Sequence, residues 1–586
     1  MFDEKELNYF TLRKQIKEIV NNKSGLKEIR LAILGDNNTN YFTEILKVIF
    51  YKLGFYLEVF ESHYDTISQQ VLDENSDLYK FRPRYVLLYT ASNYLKKKLL
   101  DTEEKERSTF AVKYIEFLIS IWDKINNSLQ CYIIQNNFEI PLERYFGNYS
   151  LKVQDSVSNI FLGINRSIIE SSIKRNKILI NDIEYLSSYH GKKYWDDDKL
   201  WISAKTICPM EFLPSIAMNI AQIVMSCEGK SKKCLILDLD NTLWGGVIGD
   251  DGIEKIEIGN LGIGEAFSTF QRYLKELKKR GIILAICSRN EFEIAVEPFR
   301  KHPDMVLRED DIAVFVANWE SKAKNIEYIS NVLNIGIDSI VFIDDSVFER
   351  NLIKHIYPEI LVPDMPEDPA EFVKHLNQLN LFETISYTDE DKKRAIYYRD
   401  DRLRNEEKKY FTNIDDYLKS LTMVAEFKRI EEVTLPRISQ LIQRTNQFNL
   451  TTKRYSEKEL VDMLYNENMY SLYVTLKDKF GDNGIVAVLI AKREKEILVI
   501  DTWLMSCRVF SRGVEYFTMN EFVKFARDKG FRIMEGVYIP TKKNKIVSNL
   551  YKGMQFTLSE SKADGSAIWR LDTLEFNNFP VFINKL

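Results

Sequence analysis

The sequence predicts a multidomain α/β protein, and three observations predict it. Short apolar runs such as "IRLAILGD", "RYVLLYT" and "GIILAICS" read as buried strands, and they alternate with longer amphipathic stretches. At 586 residues, with 45% hydrophobic side chains, the chain is long enough for several cores. Charged residues make up 28% and nearly cancel to a net charge of -5, so there is no basic footprint of a general nucleic-acid binder.

Taken in order, residues 1–228 alternate strands with helical stretches such as "TEILKVIFYKLGF" and "FAVKYIEFLISIWDKI", which implies one α/β domain. The polar break "CEGKSKK" precedes a second α/β pattern over 229–372, with strands "CLILD", "GIILAICS", "IAVFV" and "SIVFID". The charged piece "TDEDKKRAIYYRDDRLRNEEKK" marks a helical connector over 373–420. Residues 421–586 are strand-rich, with "SLYVTLKD", "GIVAVLIAK" and "EILVIDTWLM" before the helix "GVEYFTMNEFVKFARDKG", an α+β pattern. The cysteines, at 131, 208, 227, 234, 287 and 507, form no CxxC pair, which argues against a disulfide framework or a zinc site and for a reducing cytoplasm. Neither a signal peptide nor an apolar window long enough to span a membrane is expected.

The chemistry gathers at strand ends. "KCLILDLDNTLWGGVIGDDG" runs a strand into Asp238 and Asp240. An aspartate there can take a phosphoryl group as a carboxylate nucleophile, and its neighbour two positions on can protonate the leaving oxygen and later activate water. Carboxylate and phosphate repel, so a cation and further acids are needed, and "IVFIDDSVFE" supplies Asp344 and Asp345 at another strand end. All-oxygen donors suit Mg²⁺ better than zinc. The phosphoryl oxygens also need a hydroxyl and a fixed cation: Ser288 ends "GIILAICS", and Lys322 stands at a helix start in "ANWESKAKN". Each piece alone reads more simply as a turn or a helix cap; the ordered set of four does not.

"DLDNTLWGGVIGDDG", "CSRN", "NWESKAKNI" and "IDDSVFER" resemble the four motifs of the haloacid dehalogenase superfamily. More narrowly they resemble its FkbH-like branch, the glyceryl-transferase/phosphatase proteins of polyketide pathways. The resemblance continues through "NLFETISYTDEDKKRAIYY", "RTNQFNLTTKR", "KFGDNGIVAV" and "SCRVFSRGVE", over residues 230–556. It implies a Rossmannoid phosphatase domain with a minimal cap, Asp238 as nucleophile, Asp240 as acid/base, and Ser288 and Lys322 as phosphate holders. Mg²⁺ would sit on Asp238, Asp344 and the Asp240 carbonyl. "CSRN" departs from the family's "CSKN" but keeps the charge. Between the DxD loop and "GIILAICS" lies mainly one amphipathic helix, leaving room only for a flap around Trp244 to Gly249, which suits a phosphoester presented on a macromolecule.

The run Arg508-Val-Phe-Ser511-Arg512-Gly513 nearly fits R-x-x-G-x-G/A, the pyrophosphate loop of the GNAT acetyltransferase fold, and a helix N-terminus there would hold phosphate. Arg508, Arg512 and Gly513 are therefore expected to bind a phosphopantetheine arm. Ser511 and Gln555 stand where that fold has glycines. Cys507 is the candidate acyl carrier, its thiolate favoured by the neighbouring arginines, and Cys287 is the alternative, although strand alternation points it away from Ser288. "AILGDNNT" resembles the start of SGNH-type hydrolases, with Asn37 in place of the nucleophilic serine, so the first domain is expected to be non-hydrolytic.

The family reading implies transfer of a 3-phosphoglyceryl unit from 1,3-bisphosphoglycerate, its dephosphorylation, and loading of glyceryl onto an acyl carrier protein. No nucleic acid or membrane partner is expected. Two alternatives remain open: a stand-alone phosphatase acting on a small phosphoester, and a non-catalytic scaffold that docks carrier proteins.

Overall fold

The computed structural model describes residues 7–19, 25–387, 397, 400–401, 403–404, 407–541 and 543–586, apart from the side chains of Lys17, Glu18, Ile19, Arg444, Glu457 and Cys507. The chain divides into two compact units, residues 1–226 and 227–586.

In the first unit, strands β1 (Lys27–Gly35), β2 (Phe55–Glu61), β3 (Tyr85–Tyr89), β4 (Tyr132–Asn136) and β5 (Ile178–Asn181) form one parallel sheet in the order β2-β1-β3-β4-β5. A sheet covered by helices is buried on both faces, which is why its strands read as unbroken apolar runs. One of those faces packs Ala32, Leu34, Val86, Leu88 and Ile133 against Trp122 and Phe161. The helix around Met210–Cys227 is long and apolar enough to cross a membrane by length and composition, contrary to the sequence expectation of no such window. Half of that window is buried in the fold, with Leu213, Ile216, Ala217, Ile220 and Val224 in the core, as in a core helix.

The second unit holds two sheets. Strands β6 (Cys234–Leu237), β7 (Ile283–Ser288), β8 (Val314–Ala317) and β9 (Ile340–Ile343) are parallel in the order β8-β7-β6-β9. Alternation along them feeds two cores: Leu235, Leu237, Leu284 and Ile286 pack on one face, and Cys234, Ile236, Ala285 and Cys287 on the other. Each large apolar side chain so buried contributes about 1.5–3 kcal/mol. The stretch expected as a connector begins inside the first of these cores, because the helix Phe372–Leu379 and the turn after it place Phe372, Leu376, Leu381 and Phe382 there. Most of "TDEDKKRAIYYRDDRLRNEEKK" lies outside the described residues.

The other sheet of this unit is mixed, in the order β15-β16-β14-β13-β12-β11-β10-β17. Its members are β10 (Met423–Arg429), β11 (Met469–Asp478), β12 (Gly481–Glu494), β13 (Ile497–Met505), β14 (Ile533–Tyr538), β15 (Thr557–Ser561), β16 (Ala567–Asp572) and β17 (Ile583–Lys585). Strands β10 to β13 are antiparallel neighbours, whereas β13 and β14 are parallel, joined through the helix Val514–Asp528. Lys543 pairs with Asp338, tying this part to the four-stranded part.

Candidate active site

Register places the site. Leu237 is level with Ile286 on β7 and Ile343 on β9, and Ser288 is level with Ala317 on β8, so four strand ends open onto one edge. The amide of Asp238 donates to the Ile343 carbonyl at 2.9 Å, fixing the residue as it leaves the sheet. Lys322 opens the helix Lys322–Leu333, whose N-terminus is capped by the Ser321 hydroxyl.

The Lys322 ammonium lies 2.9 Å from Asp238 Oδ1 and 2.5 Å from Asp344 Oδ2, with all three side chains buried. Asp344 is fixed further by the Ser346 amide, which donates to its Oδ1 at 2.9 Å. Burial pushes the Asp238 carboxyl up, to about 7, against the pull of Lys322 and with added repulsion from Asp344. Burial alone would lower the Lys322 ammonium, but the two carboxylates outweigh it and hold it charged, well above its usual range. Ser288 is buried at the neighbouring strand end, its Oγ accepting from Asn290 Nδ2 at 3.2 Å.

Asp238, Asp344 and Asp345 each offer a carboxylate oxygen, and these lie within 4.8 Å of one another. Asp238 Oδ1 is buried and accepts no aligned hydrogen bond, its contact with Lys322 being close but poorly directed. An all-oxygen group of three carboxylates fits a hard divalent cation. The family resemblance puts the backbone carbonyl of Asp240, not its carboxylate, on the metal. Its carboxylate is not in this cluster: Oδ1 accepts from Trp244 Nε1 at 3.0 Å and from the Ile248 amide at 2.9 Å, and Oδ2 from Asn290 Nδ2 at 2.8 Å.

Several residues at the site escape sequence reasoning. Asp345 was read only as part of an acid pair, and Asn290 only as the end of "CSRN". Arg350 is buried and donates through Nη1 to the Asp344 and Asp345 carbonyls at 2.8 and 2.6 Å, so it shapes the loop without touching the carboxylates. Its signal was its place one helical turn past the acids. Glu349 pairs with Arg289, the residue that departs from the family pattern, at 2.8 Å.

Cys287, the alternative acyl carrier, is fully buried, its sulfur 3.8 Å from the Lys322 carbonyl, and burial pushes its thiol up to about 12. A buried, protonated thiol is no nucleophile. The side chain of Cys507 lies outside the described residues; its backbone forms one turn, Cys507–Val509, between β13 and the helix Val514–Asp528. In that loop Ser511 has φ 62° and Gly513 φ 77°, and Gln555 has φ 67°, so both residues that replace a glycine keep the left-handed backbone a glycine would adopt.

The arginines expected to bind phosphate are engaged. Arg512 reaches Asp401 at 2.5 Å and Asp478 at 3.2 Å, and Arg404 meets the same two aspartates, in a buried network. The Arg508 guanidinium lies 4.1 Å from the Tyr397 ring centre, and its Nε donates to Ser506 Oγ at 3.2 Å. In the first unit Asn37 is buried and donates to Tyr89 O at 2.6 Å and Asp36 Oδ1 at 3.2 Å. His190 pairs with Ser215 at 3.0 Å and packs on Trp195 and Phe212, and the Asp197 side chain caps the helix Asp198–Ala204.

A parallel sheet that ends on an aspartate pair, a serine, a helix-start lysine and a second acid pair is the arrangement of phosphatases of the haloacid dehalogenase superfamily. Comparison with known proteins agrees. The family FkbH, N-terminal domain, matches residues 30–225. The chain is similar to the crystal structure of the N-terminal part of the protein BF1531 from Bacteroides fragilis, which contains a phosphatase domain and is complexed with Mg. Identity is 36% and TM-score 0.62, over 66% of this chain and 100% of that one. The chain belongs to the FkbH-like family, and it is an enzyme of the phosphatase type.

Weaker likenesses include the ribosomal-protein-S18-alanine N-acetyltransferase from Escherichia coli, with 14% identity and TM-score 0.21 over 26% of this chain and 94% of that one. Another is a phosphinothricin acetyltransferase from Sinorhizobium meliloti in complex with AcCoA, with 17% identity and TM-score 0.21 over 25% of this chain and 88% of that one. No curated protein matches.

Proposed function

We propose that this enzyme transfers a glyceryl unit from 1,3-bisphosphoglycerate to the phosphopantetheine thiol of an acyl carrier protein and removes the unit's phosphate at the Asp238 site. The observation that carries the phosphatase half is the buried Lys322 ammonium lodged between Asp238 and Asp344, with Ser288 at the neighbouring strand end. An oxygen of Asp238 attacks phosphorus, the phosphorus–oxygen ester bond breaks, and the Asp240 carboxyl gives its proton to the departing alkoxide. Water then attacks the aspartyl phosphate, Asp240 takes the water's proton, and inorganic phosphate leaves with Asp238 restored. Lys322 and the Ser288 hydroxyl hold the non-bridging oxygens through both steps.

Asp238, Asp344 and Asp345 would hold Mg²⁺, which when bound offsets the repulsion between carboxylate and phosphate. For the transfer half we assign the acyl thioester to Cys507, since burial disfavours the thiolate of the alternative, Cys287. What supports the carrier protein as partner is the family and the absence of a large cap between Gly249 and Gly281, where the helix Ile263–Lys279 occupies most of the chain.

A second reading, a stand-alone phosphatase on a small ester, is favoured by one observation. Arg512 is paired with Asp401 and Asp478, so its charge is already offset and is not free for a pantetheine phosphate. Intact mass of a holo carrier protein, incubated with the enzyme, Mg²⁺ and 1,3-bisphosphoglycerate, separates the two. A glyceryl adduct without phosphate is expected. No adduct, with phosphate still released from small esters, would leave the plain phosphatase.

A further inference from the structure

We propose that Trp244 and Asn290 are positioning residues for Asp240, clamping its carboxylate from both sides so that it serves proton transfer and stays out of the cation cluster. The inference rests on the reading of Asp240 as proton donor and acceptor. One oxygen is held by the Trp244 indole at 3.0 Å together with the Ile248 amide at 2.9 Å, and the other by the Asn290 amide at 2.8 Å.

Each donor has little freedom. The Trp244 ring is fully buried, edge-on to Phe299 at 6.0 Å, so its N–H has a single direction. The flap that carries it is pinned by paired hydrogen bonds between Gly245 and Glu257 at 3.0 and 2.8 Å. It is pinned also by Gln271, which donates to Leu243 O at 2.8 Å while its own oxygen accepts the Val306 and Leu307 amides at 3.0 Å. A side chain at Gly245 would meet Glu257 Oε2 at 2.7 Å, so the glycine lets the flap lie this close. Asn290 is buried, and its Nδ2 also donates to Ser288 Oγ at 3.2 Å. One amide thus ties the hydroxyl that holds the phosphate to the acid that protonates the leaving group. Two aspartates two positions apart acquire separate tasks: Lys322 holds the first toward phosphorus, and the clamp turns the second toward the flap.

A positioning role for an acid shows in leaving-group dependence, because an alkoxide needs a proton to depart and a nitrophenolate does not. The experiment compares kcat/KM for an alkyl phosphate and for p-nitrophenyl phosphate in the wild-type chain, Asn290→Ala, Trp244→Phe and Asp240→Asn. The clamp predicts that the alkyl-to-aryl ratio falls about tenfold in Asn290→Ala and Trp244→Phe, and further in Asp240→Asn. A merely structural role lowers both esters together. Equal losses on both esters in Asn290→Ala and Trp244→Phe, with the ratio still falling in Asp240→Asn, overturn the clamp alone. An unchanged ratio in Asp240→Asn overturns the acid/base reading and the clamp with it. Because the two variants remove donors to different oxygens, failure of one to fold leaves the other decisive.

Discussion

Lys322 stands between two buried carboxylates, and that position makes it the residue on which both stability and chemistry turn. Removing one partner of a buried ion pair costs about 3–5 kcal/mol, because the charge left behind has no compensation. Lys322→Met is therefore expected to lower unfolding free energy by about that amount in metal-free buffer and to abolish phosphate release. The double variant Lys322→Met/Asp344→Asn should recover part of the stability and none of the activity, as read by urea unfolding and a phosphate assay. A single variant as stable as wild type would contradict this. The sequence made Asp238, Ser288, Lys322 and Asp344 legible because each closes or follows an apolar run, and strand ends are countable. Asn290, Arg350 and the indole of Trp244 were illegible as site residues, since their roles depend on where a donor points. Asp240 shows the boundary between the two: its identity as an acid could be read, but the direction of its carboxylate could not.

Among the elements, parallel strands such as Lys27–Gly35, Tyr85–Tyr89, Cys234–Leu237 and Ile283–Ser288 could be read in the sequence because burial on both faces leaves an unbroken apolar signature. The connector was harder. The helix Phe372–Leu379 is a short amphipathic stretch just ahead of the charged run, and its Phe372 and Leu376 close the core beside the site. The first unit carries two further buried acids, Asp36 and Glu139, which set a pH dependence. Burial pushes Asp36 from 3.8 to about 7 and Glu139 from 4.5 to about 7, against hydrogen bonds from Asn37 and from Ser92 respectively. A carboxyl whose pKa rises on folding binds its proton more tightly in the folded state. Its stabilisation is full below its unfolded pKa and is lost as pH rises toward 7. Asp36→Asn should therefore be more stable than wild type at pH 8, by about 2–3 kcal/mol more than at pH 5. Urea unfolding of the full chain at both values checks it, and a gap independent of pH would contradict it.

At the scale of the whole molecule, an α/β chain of several cores was legible from alternating patterns, and the phosphatase class from four motifs in order. How the C-terminal loop is used was not. Arg508 and Arg512 look free in sequence, and only the fold shows Tyr397, Asp401 and Asp478 closing on them from distant stretches of chain. Ser511 and Gln555 looked like losses of essential glycines, but both hold the left-handed backbone. Such facts lie in pairings between residues far apart along the chain, which composition and periodicity do not encode.

The proposed chemistry turns on Asp238 carrying the phosphoryl group. The most direct test is rapid acid quench of the Mg²⁺-loaded enzyme during turnover of a phosphoester, followed by intact mass and peptide mapping. An enzyme heavier by one phosphoryl group is expected, with the group located on the peptide that contains Asp238 and absent from Asp238→Asn. Phosphate release undiminished in Asp238→Asn, or a phosphoryl group on any other residue, would contradict it.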